Sequence, residues 1–248
     1  MSGLAWLTAR PVAHRGLHDA AAGVIENTRS AVAAAVAAGF GIEVDLQVTA
    51  DDDAVVHHDE VLGRLTEGSG RLAAMTAAQL QRVRFKTTTD AMMTLADLLD
   101  LVAGRATLVI ELKSHFDGDL RLVRRAAELL ARYDGPVAAM SFDPVQVAAL
   151  RQMAPRLTRG VVASRRYDDE EWAGLSTGQK RAMAHLLHWP STRPQFVAYH
   201  VRDLPAPGPS VARALFGVPL LTWTVRSPED RSRATQHADQ MIFEGFRP

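Results

Sequence analysis

Acidic and basic residues that could do chemistry recur in short apolar stretches of the chain. Glu43 and Asp45 lie two apart in GIEVDLQ, and Glu111 and Lys113 lie two apart in VIELKS. Residues two apart in an extended strand point to the same face, so each pair would share a face. The ordinary interpretation is a salt-bridged strand end or a buried ion pair. If the pairs meet, their hard oxygen atoms suit Mg²⁺ or Ca²⁺ better than zinc or copper.

Histidines and an arginine add groups that could move a proton and bind an anion. AHRG contains His14 and Arg15, and AVVHHDE contains His57 and His58. Histidine exchanges a proton near neutral pH, and the planar fork of arginine matches phosphate oxygens. In an extended run His57 and His58 point to opposite faces, so only one of them can readily meet His14. Together with the carboxylates and lysine, such a set fits displacement at phosphorus, with phosphodiester cleavage as the natural reaction.

The elements that must position these residues are alternating strands and helices, which favour βα units around a parallel sheet. About 250 residues is the usual size of an eight-stranded α/β barrel. Residues 1–248 are therefore predicted to form a single (β/α)8 TIM barrel, with the residues above at the ends of its strands. The predicted strands are 11–14, 41–47, 107–113, 136–142, 158–163, 196–201, 219–225 and 239–244.

Start signals predict several helices, and one segment interrupts the alternation. The expected helix starts are Asn27 or Thr28, Thr94 with Asp97, Asp143-Pro144 and Ser227-Pro228. A short insertion at about 48–106 separates the second and third predicted strands. Barrel enzymes carry function on loops at the C-terminal face, so this insertion is the first place to look.

Composition excludes some kinds of site and partner. The chain has no cysteine, which excludes disulfides and thiolate metal sites. Its 28 basic and 28 acidic residues cancel, so charge gives no reason to expect nucleic acid or an anionic membrane surface as partner. No export signal is visible and the apolar run at 30–42 is too short to span a bilayer. A soluble cytoplasmic protein without stable membrane insertion is expected, in an oligomeric state that the sequence does not indicate.

The motifs, in their order and spacing, resemble the glycerophosphodiester phosphodiesterase family, barrels of the phosphatidylinositol-specific phospholipase C type. The resemblance is dense over 12–70, returns at 94–113 and is looser over 136–248. The motifs are His14-Arg15-Gly16, Glu26-Asn27-Thr28, Glu43-x-Asp45, Thr49 with the following aspartates, VVHHDEVLGRLTEGSG (55–70), Glu111-x-Lys113 and Trp223-Thr224-Val225.

This resemblance implies a role for each matching residue. The implied general acid and base are His14 and His58, the metal ligands are Glu43, Asp45 and Glu111, and the phosphate-binding cations are Arg15 and Lys113. The VVxHD pattern selects His58 over His57, with Asp59 orienting it or pinning the loop. Which histidine takes the proton stays open. Trp223 is expected in the core, or as an apolar wall for the glycerol backbone.

The resemblance also implies small-molecule substrates. These are deacylated phospholipids such as glycerophosphocholine or glycerophosphoethanolamine, cleaved to sn-glycerol 3-phosphate and an alcohol, with the glycerol 2-hydroxyl as an internal nucleophile. The short insertion makes a broad lid unexpected and weakly favours a water-soluble head group. The family often ends its last strand with Thr-Asp, whereas Phe243-Glu244 here keeps a carboxylate and loses the hydroxyl.

Other interpretations stay open beside this one. The same barrel could cleave lysophospholipids in a phospholipase D-like reaction, for which the apolar stretch AMMTL (91–95) is a hint, or it could be a silent barrel that binds phosphate esters. A phosphohydrolase with a His-Asp pair on helices is disfavoured because the pair follows a strand-like run. His185 and His188 are expected to be solvated or capping residues, and His200 could line the site.

Overall fold

The computed structural model describes residues 3–248, and eight of its strands close a parallel ring. Each ring strand pairs with the next, and the last pairs back to the first through Val12 opposite Ile242. This closure confirms the TIM barrel. The strands are β1 (Val12–Ala13), β2 (Gly41–Val48), β3 (Ala54–Val56), β4 (Leu108–Leu112), β5 (Val137–Ser141), β6 (Thr158–Ala163), β7 (Phe196–His200), β8 (Leu220–Val225) and β9 (Gln240–Phe243). All except β3 belong to the ring.

Helices surround the ring, and four of them begin at polar residues that the sequence indicated. Thr28 is the N-cap of its helix, which decides between it and Asn27. Thr94 and Asp97 form a capping box, and Asp143 and Ser227 each cap a helix that opens with proline. The helices are α1 (Ala5–Thr8), α2 (Arg29–Ala38), α3 (Ala77–Leu80), α4 (Leu95–Val102), α5 (Arg121–Leu130), α6 (Pro144–Met153), α7 (Thr177–Ala184), α8 (Trp189–Thr192), α9 (Pro207–Phe216) and α10 (Pro228–His237).

The ring interior is apolar towards one end and polar towards the other. Strand alternation places Val109 and Glu111 on the inner face of β4, and Ile110 between them on the outer face. Val109 joins an interior apolar cluster with Val12, Met140 and other buried residues. Glu111 lies one layer nearer the carboxyl ends of the strands. The interior core therefore forms a floor beneath the polar side chains.

The insertion between β2 and β4 has an apolar core of its own. Strand β3 pairs antiparallel with the end of β2, with Leu46 opposite Val56, and lies outside the ring. A 3₁₀ turn at Leu72–Ala74 and helix α3 follow. The separate cluster beneath them contains Ile25, Val55, Leu62, Leu72, Ala77, Leu80, Phe85 and Met92. Ile25 comes from the loop after β1, so this small core also holds that loop.

Within residues 3–248, no helix combines the length and apolar character that a crossing of the bilayer requires.

Candidate active site

A cavity of about 1080 Å³ lies at the carboxyl ends of the ring strands. Its wall brings together every residue that the sequence analysis placed in the site: His14, Arg15, Glu43, Asp45, His58, Glu111, Lys113 and Trp223. His57 lies apart from them, 1% exposed, with its ring centroid 6.3 Å from that of Phe85. The two neighbouring histidines therefore do point to different sides, and His58 is the one at the cavity.

The carboxylates of Glu43, Asp45 and Glu111 gather at the floor of the cavity. One oxygen of each lies within 4.8 Å of the others, and all three residues are buried. Burial, together with the charge of its neighbours, raises the pKa of Glu43 well above its ordinary value. Burial also raises the pKa of Glu111, with a further contribution from Asp45. Ionising all three carboxylates at once is therefore unfavourable for the protein alone.

Two cations offset part of that charge, and both contact Asp45. Nζ of Lys113 lies 2.9 Å from Oδ1 of Asp45 and 2.7 Å from Oε1 of Glu111. Nε of Arg15 lies 3.2 Å from Oδ2 of Asp45. Burial would raise the pKa of Asp45, but Lys113 and Arg15 outweigh it and hold the pKa below its ordinary value. Asp45 is therefore ionised and fixed between two cations.

A tight turn after β1 aims Arg15 at the cluster. Arg15 has a φ of +56°, and its backbone N–H donates to Oε2 of Glu43 over 3.0 Å. Gly16 follows with a φ of +82°, and a Cβ there would come within 2.8 Å of the backbone of Ala31. Only glycine fits this close approach of the turn to α2. Asn27, also at positive φ, donates from Nδ2 to Asp45 over 2.9 Å. The motif contained Asn27, but no role could be read for it beyond capping.

The donor set fits a hard divalent cation. Carboxylate oxygens are the ligands that Mg²⁺ and Ca²⁺ prefer. Among the described residues, the protein's donors use Oε2 of Glu43 and Oε1 of Glu111, so the second oxygen of each remains for another ligand. A cation there would also offset the burial and the mutual repulsion that raise the pKa values of these two groups. The cluster can therefore hold a metal ion, whose identity the donors do not distinguish.

His14 is backed by a carboxylate from the far end of the chain. Its Nδ1 lies 2.7 Å from Oε2 of Glu244, and its Nε2 lies 3.9 Å from Oε2 of Glu43. Arg226 donates to the same Glu244 oxygen over 2.8 Å. Burial would raise the pKa of Glu244, but the hydrogen bonds from His14 and Arg226 hold it below its ordinary value. Burial lowers the pKa of His14, which Glu244 opposes. The sequence analysis noted the carboxylate of Glu244 but did not predict its contact with His14.

His58 is backed by its neighbour in sequence. Its Nδ1 lies 2.9 Å from Oδ1 of Asp59, whose carboxylate is in turn bound by Arg64. Gln47 donates from Nε2 to the backbone carbonyl of His58 over 2.8 Å, which ties the loop to β2. Arg64 belongs to the motif at 55–70, but the sequence indicated no role for it. Both histidines thus use Nδ1 for a carboxylate, which leaves Nε2 as the nitrogen for another partner.

Aromatic rings form the opposite wall. The Trp223 ring contacts Phe142 and His200 edge to face, with centroids 5.4 and 5.1 Å apart. Trp223 packs on the interior core and also lines the cavity, and His200 lines it too. His185 follows α7 and His188 precedes α8, and neither is at the cavity wall. His188 makes no capping hydrogen bond, and burial lowers its pKa to about 4.

Comparison with known proteins finds one family along almost the whole chain. A sequence model of the glycerophosphoryl diester phosphodiesterase family matches residues 14–243. A glycerophosphodiester phosphodiesterase of Caldanaerobacter subterraneus subsp. tengcongensis is 31% identical over 163 residues, which cover 61% of this chain and 65% of that one. The human glycerophosphodiester phosphodiesterase 1 is 39% identical over 74 residues, covering 29% of this chain and 21% of that one. The matches therefore span less than two thirds of the length of either relative.

Solved structures share the fold. A putative glycerophosphoryl diester phosphodiesterase from Silicibacter pomeroyi superposes with a TM-score of 0.75 at 25% identity, over 94% of this chain and 89% of that one. An Oleispira antarctica phosphodiesterase, solved in complex with the product sn-glycerol-3-phosphate, superposes with a TM-score of 0.76 at 20% identity, over 96% and 94% of the two chains.

Proposed function

The chain belongs to the glycerophosphoryl diester phosphodiesterase family, and from this premise we propose that it hydrolyses glycerophosphodiesters to sn-glycerol 3-phosphate and an alcohol. One observation carries the proposal for this chain. Two histidines, each held at Nδ1 by a carboxylate, face the same cavity as the three-carboxylate cluster. sn-Glycerol-3-phosphate, the ligand of the Oleispira antarctica structure, is the product expected of this reaction.

In the proposed mechanism His14 and His58 act as general acid and base. One imidazole takes the proton of the glycerol 2-hydroxyl as its oxygen attacks phosphorus, and the other protonates the leaving alkoxide as the phosphorus–oxygen bond breaks. Water then opens the cyclic phosphate, with the two histidines in reversed roles. Holding the hydroxyl beside phosphorus makes the first step effectively unimolecular.

The cations and carboxylates of the cavity manage the charge. Arg15 and Lys113 would bind the phosphate, since both present fixed positive charge at the cavity wall. Glu43, Asp45 and Glu111 would hold Mg²⁺ or Ca²⁺, whose Lewis acidity would polarise a phosphoryl oxygen. Trp223 would form the apolar wall for the glycerol backbone. A cytoplasmic location stays a prediction from the sequence.

The lysophospholipid alternative has less support. It needs an apolar entrance beside the cavity, for which AMMTL was the hint. Met92, Met93 and Leu95 of that stretch are all buried in the fold and therefore do not supply it. A silent binding barrel has less support as well, because every position expected to do chemistry is filled and lines the cavity.

The test is release of sn-glycerol 3-phosphate from glycerophosphocholine with Mg²⁺ or Ca²⁺, and again after chelation. We expect turnover that falls by at least about a hundredfold in chelator and returns when the metal is added back. Lysophosphatidylcholine is the matched alternative substrate. Full activity in chelator, or no turnover of any glycerophosphodiester, would contradict the proposal.

A further inference from the structure

Arg64 lies at the mouth of the cavity and joins two carboxylates that serve different parts of the site. Its Nε lies 2.6 Å from Oδ2 of Asp59, and its Nη2 lies 3.0 Å from Oδ1 of the same carboxylate. Nη2 and Nη1 also donate to Glu26, over 2.7 and 3.2 Å. Asp59 holds His58, and Glu26 accepts from Nη1 of Arg15 over 2.7 Å. A chain of charged hydrogen bonds thus runs from the His58 loop to Arg15.

The backbone around Arg64 is built to hold this position. Gly63 has a φ of +123°, and its N–H donates to the hydroxyl of Thr66 over 3.1 Å. Lys86 donates to the carbonyl of Gly63. Leu62, directly before this turn, is buried in the apolar core of the insertion. Arg64 therefore projects from a fixed turn and not from a free loop.

The contacts of Arg64 distinguish it from the cations of the floor. Its three guanidinium nitrogens all face Asp59 or Glu26, in the planar, paired geometry that arginine makes with carboxylates. Its positive charge is thereby offset by two carboxylates. Lys113 is likewise paired with two carboxylates, but both belong to the buried cluster. The two carboxylates that bind Arg64 instead hold other side chains of the site, His58 and Arg15.

We propose that Arg64 is a positioning residue that acts through Asp59 to keep the His58 ring in one orientation and tautomer, with Nδ1–H on Asp59 and Nε2 towards the cavity. Through Glu26 it also sets the place of this loop relative to Arg15. The inference rests on the proposed function, since it assigns His58 a part in proton transfer. It predicts that Arg64 affects turnover more than substrate binding.

The kinetic test is Arg64→Gln, with Arg71→Gln as the matched control. Arg71 lies on the same insertion, and its salt bridge is with Glu60 and not with Asp59 or Glu26. We expect R64Q to lower kcat for glycerophosphocholine by about 10- to 100-fold with KM changed less than about threefold, as for loss of a group behind a catalytic one. R71Q should leave both constants within about twofold of the wild type.

A double-mutant cycle separates positioning from direct substrate contact. If Arg64 acts through Asp59, adding R64Q to Asp59→Asn should lower kcat by less than about threefold beyond D59N alone. An additive loss in the cycle, or a rise in KM with kcat unchanged, would mean that Arg64 binds the substrate directly and would overturn the proposal. The thermal unfolding midpoint of each variant checks that it is folded. R64K, which keeps the charge and lacks the fork, serves in the same measurements if R64Q does not fold.

A second readout needs no substrate and therefore separates this inference from the proposed function. Nitrogen-15 NMR of the imidazoles reports the tautomer, with the His58 signals assigned by their loss in His58→Gln. The wild type should show Nδ1 protonated and Nε2 unprotonated near pH 8, whereas R64Q should show a mixture. An unchanged His58 tautomer in R64Q would overturn the inference, whether or not the protein hydrolyses glycerophosphodiesters.

Discussion

The two histidines at the cavity are held by the same kind of contact but by different parts of the molecule. In the His14 arm (His14, Glu244 and Arg226), the partners follow three different ring strands, and His14 and Glu244 are 230 residues apart. In the His58 arm (His58, Asp59 and Arg64), histidine and carboxylate are adjacent and the arginine is five residues further on. In both arms Nδ1 of the histidine meets a carboxylate that an arginine also binds.

The two histidines are therefore positioned by two different parts of the fold. The His14 arm exists only when the ring is closed, because β1 and β9 must pair before Glu244 can reach His14. The His58 arm depends on the insertion and its separate apolar core. Changes to the ring should therefore disturb folding and the His14 arm together, whereas changes to the insertion can disturb the His58 arm in a folded barrel.

The largest expected effect comes from removing either imidazole. His14→Ala and His58→Ala should each lower kcat by at least about a hundredfold, as for loss of a general acid or base. His57→Ala is the control for His58: it should lower the thermal unfolding midpoint, because that ring is buried, and leave kcat nearly unchanged. Steady-state kinetics and thermal unfolding of the three variants measure this. Equal losses of kcat in H57A and H58A would contradict the assignment of His58.

The next largest effect is expected from the two carboxylates that bind Nδ1 of these histidines. Glu244→Gln and Asp59→Asn should each lower kcat by about 10- to 100-fold, since each removes the group that orients a histidine. Similar losses of kcat would show that the two arms contribute equally. Unequal losses would show which histidine depends more on its carboxylate. A variant that keeps wild-type kcat would remove its arm from the mechanism.

Glu244→Gln should also make stability depend differently on pH. The pKa of Glu244 is lower folded than unfolded, so its ionised form stabilises the folded state above an unfolded pKa of about 4.3 and this contribution is lost as pH falls through the folded pKa. The free energy of unfolding should therefore differ most between wild type and E244Q near pH 7, and the difference should shrink below about pH 5. Urea unfolding at several pH values measures this. A difference that grows on acidification would contradict the pairing with His14 and Arg226.

A smaller effect is expected from a change beneath the insertion. Leu72→Ala should destabilise the insertion core by about 2–4 kcal/mol, as for a buried leucine cut to alanine. Hydrogen exchange should then quicken for amides of the insertion and stay unchanged in the ring strands, with kcat/KM lowered by about tenfold. Leu221→Ala, inside the ring, is the control and should quicken exchange throughout. Equal exchange patterns in the two variants would refute the independence of the insertion.

The smallest effect is expected at Trp223, which belongs to neither arm. Trp223→Leu keeps an apolar side chain but removes the contacts with Phe142 and His200. We expect KM to rise by about threefold with kcat preserved, since only part of an apolar wall is lost. A loss of kcat as large as that of D59N would give Trp223 a part in the chemistry that an apolar wall does not have.

Sequence patterns predicted what depends on local spacing. Short β-branched runs between helical patterns predicted the ring strands. Period-two alternation, which any extended strand obeys, predicted the inward pairs Glu43/Asp45 and Glu111/Lys113. Capping chemistry predicted the start of α2 to within one residue, at Asn27 or Thr28, and the structure has Thr28 as the cap.

Contacts that depend on closure or on unusual backbone were beyond such patterns. The hydrogen bond between His14 and Glu244 requires the ends of the chain to meet, and no local signal specifies that. Asn27 reaches Asp45 from a positive-φ position, and Arg64 reaches Glu26 across 38 residues. The apolar core of the insertion was missed for the same reason, since Ile25, Leu72 and Phe85 are dispersed in sequence.

The separate core of the insertion makes this segment an exchangeable unit for protein engineering. Strand β3 joins it to the ring by pairing with β2, and Ile25 of the loop after β1 packs in its core. His58 with its partners in the same arm comes from the segment itself. A designer could vary Val61 and other exposed positions of the segment, or replace it by the equivalent of a relative, while the barrel supplies an unchanged floor of carboxylates and His14. Selection for new head groups could then change the insertion while the stability of the barrel is kept.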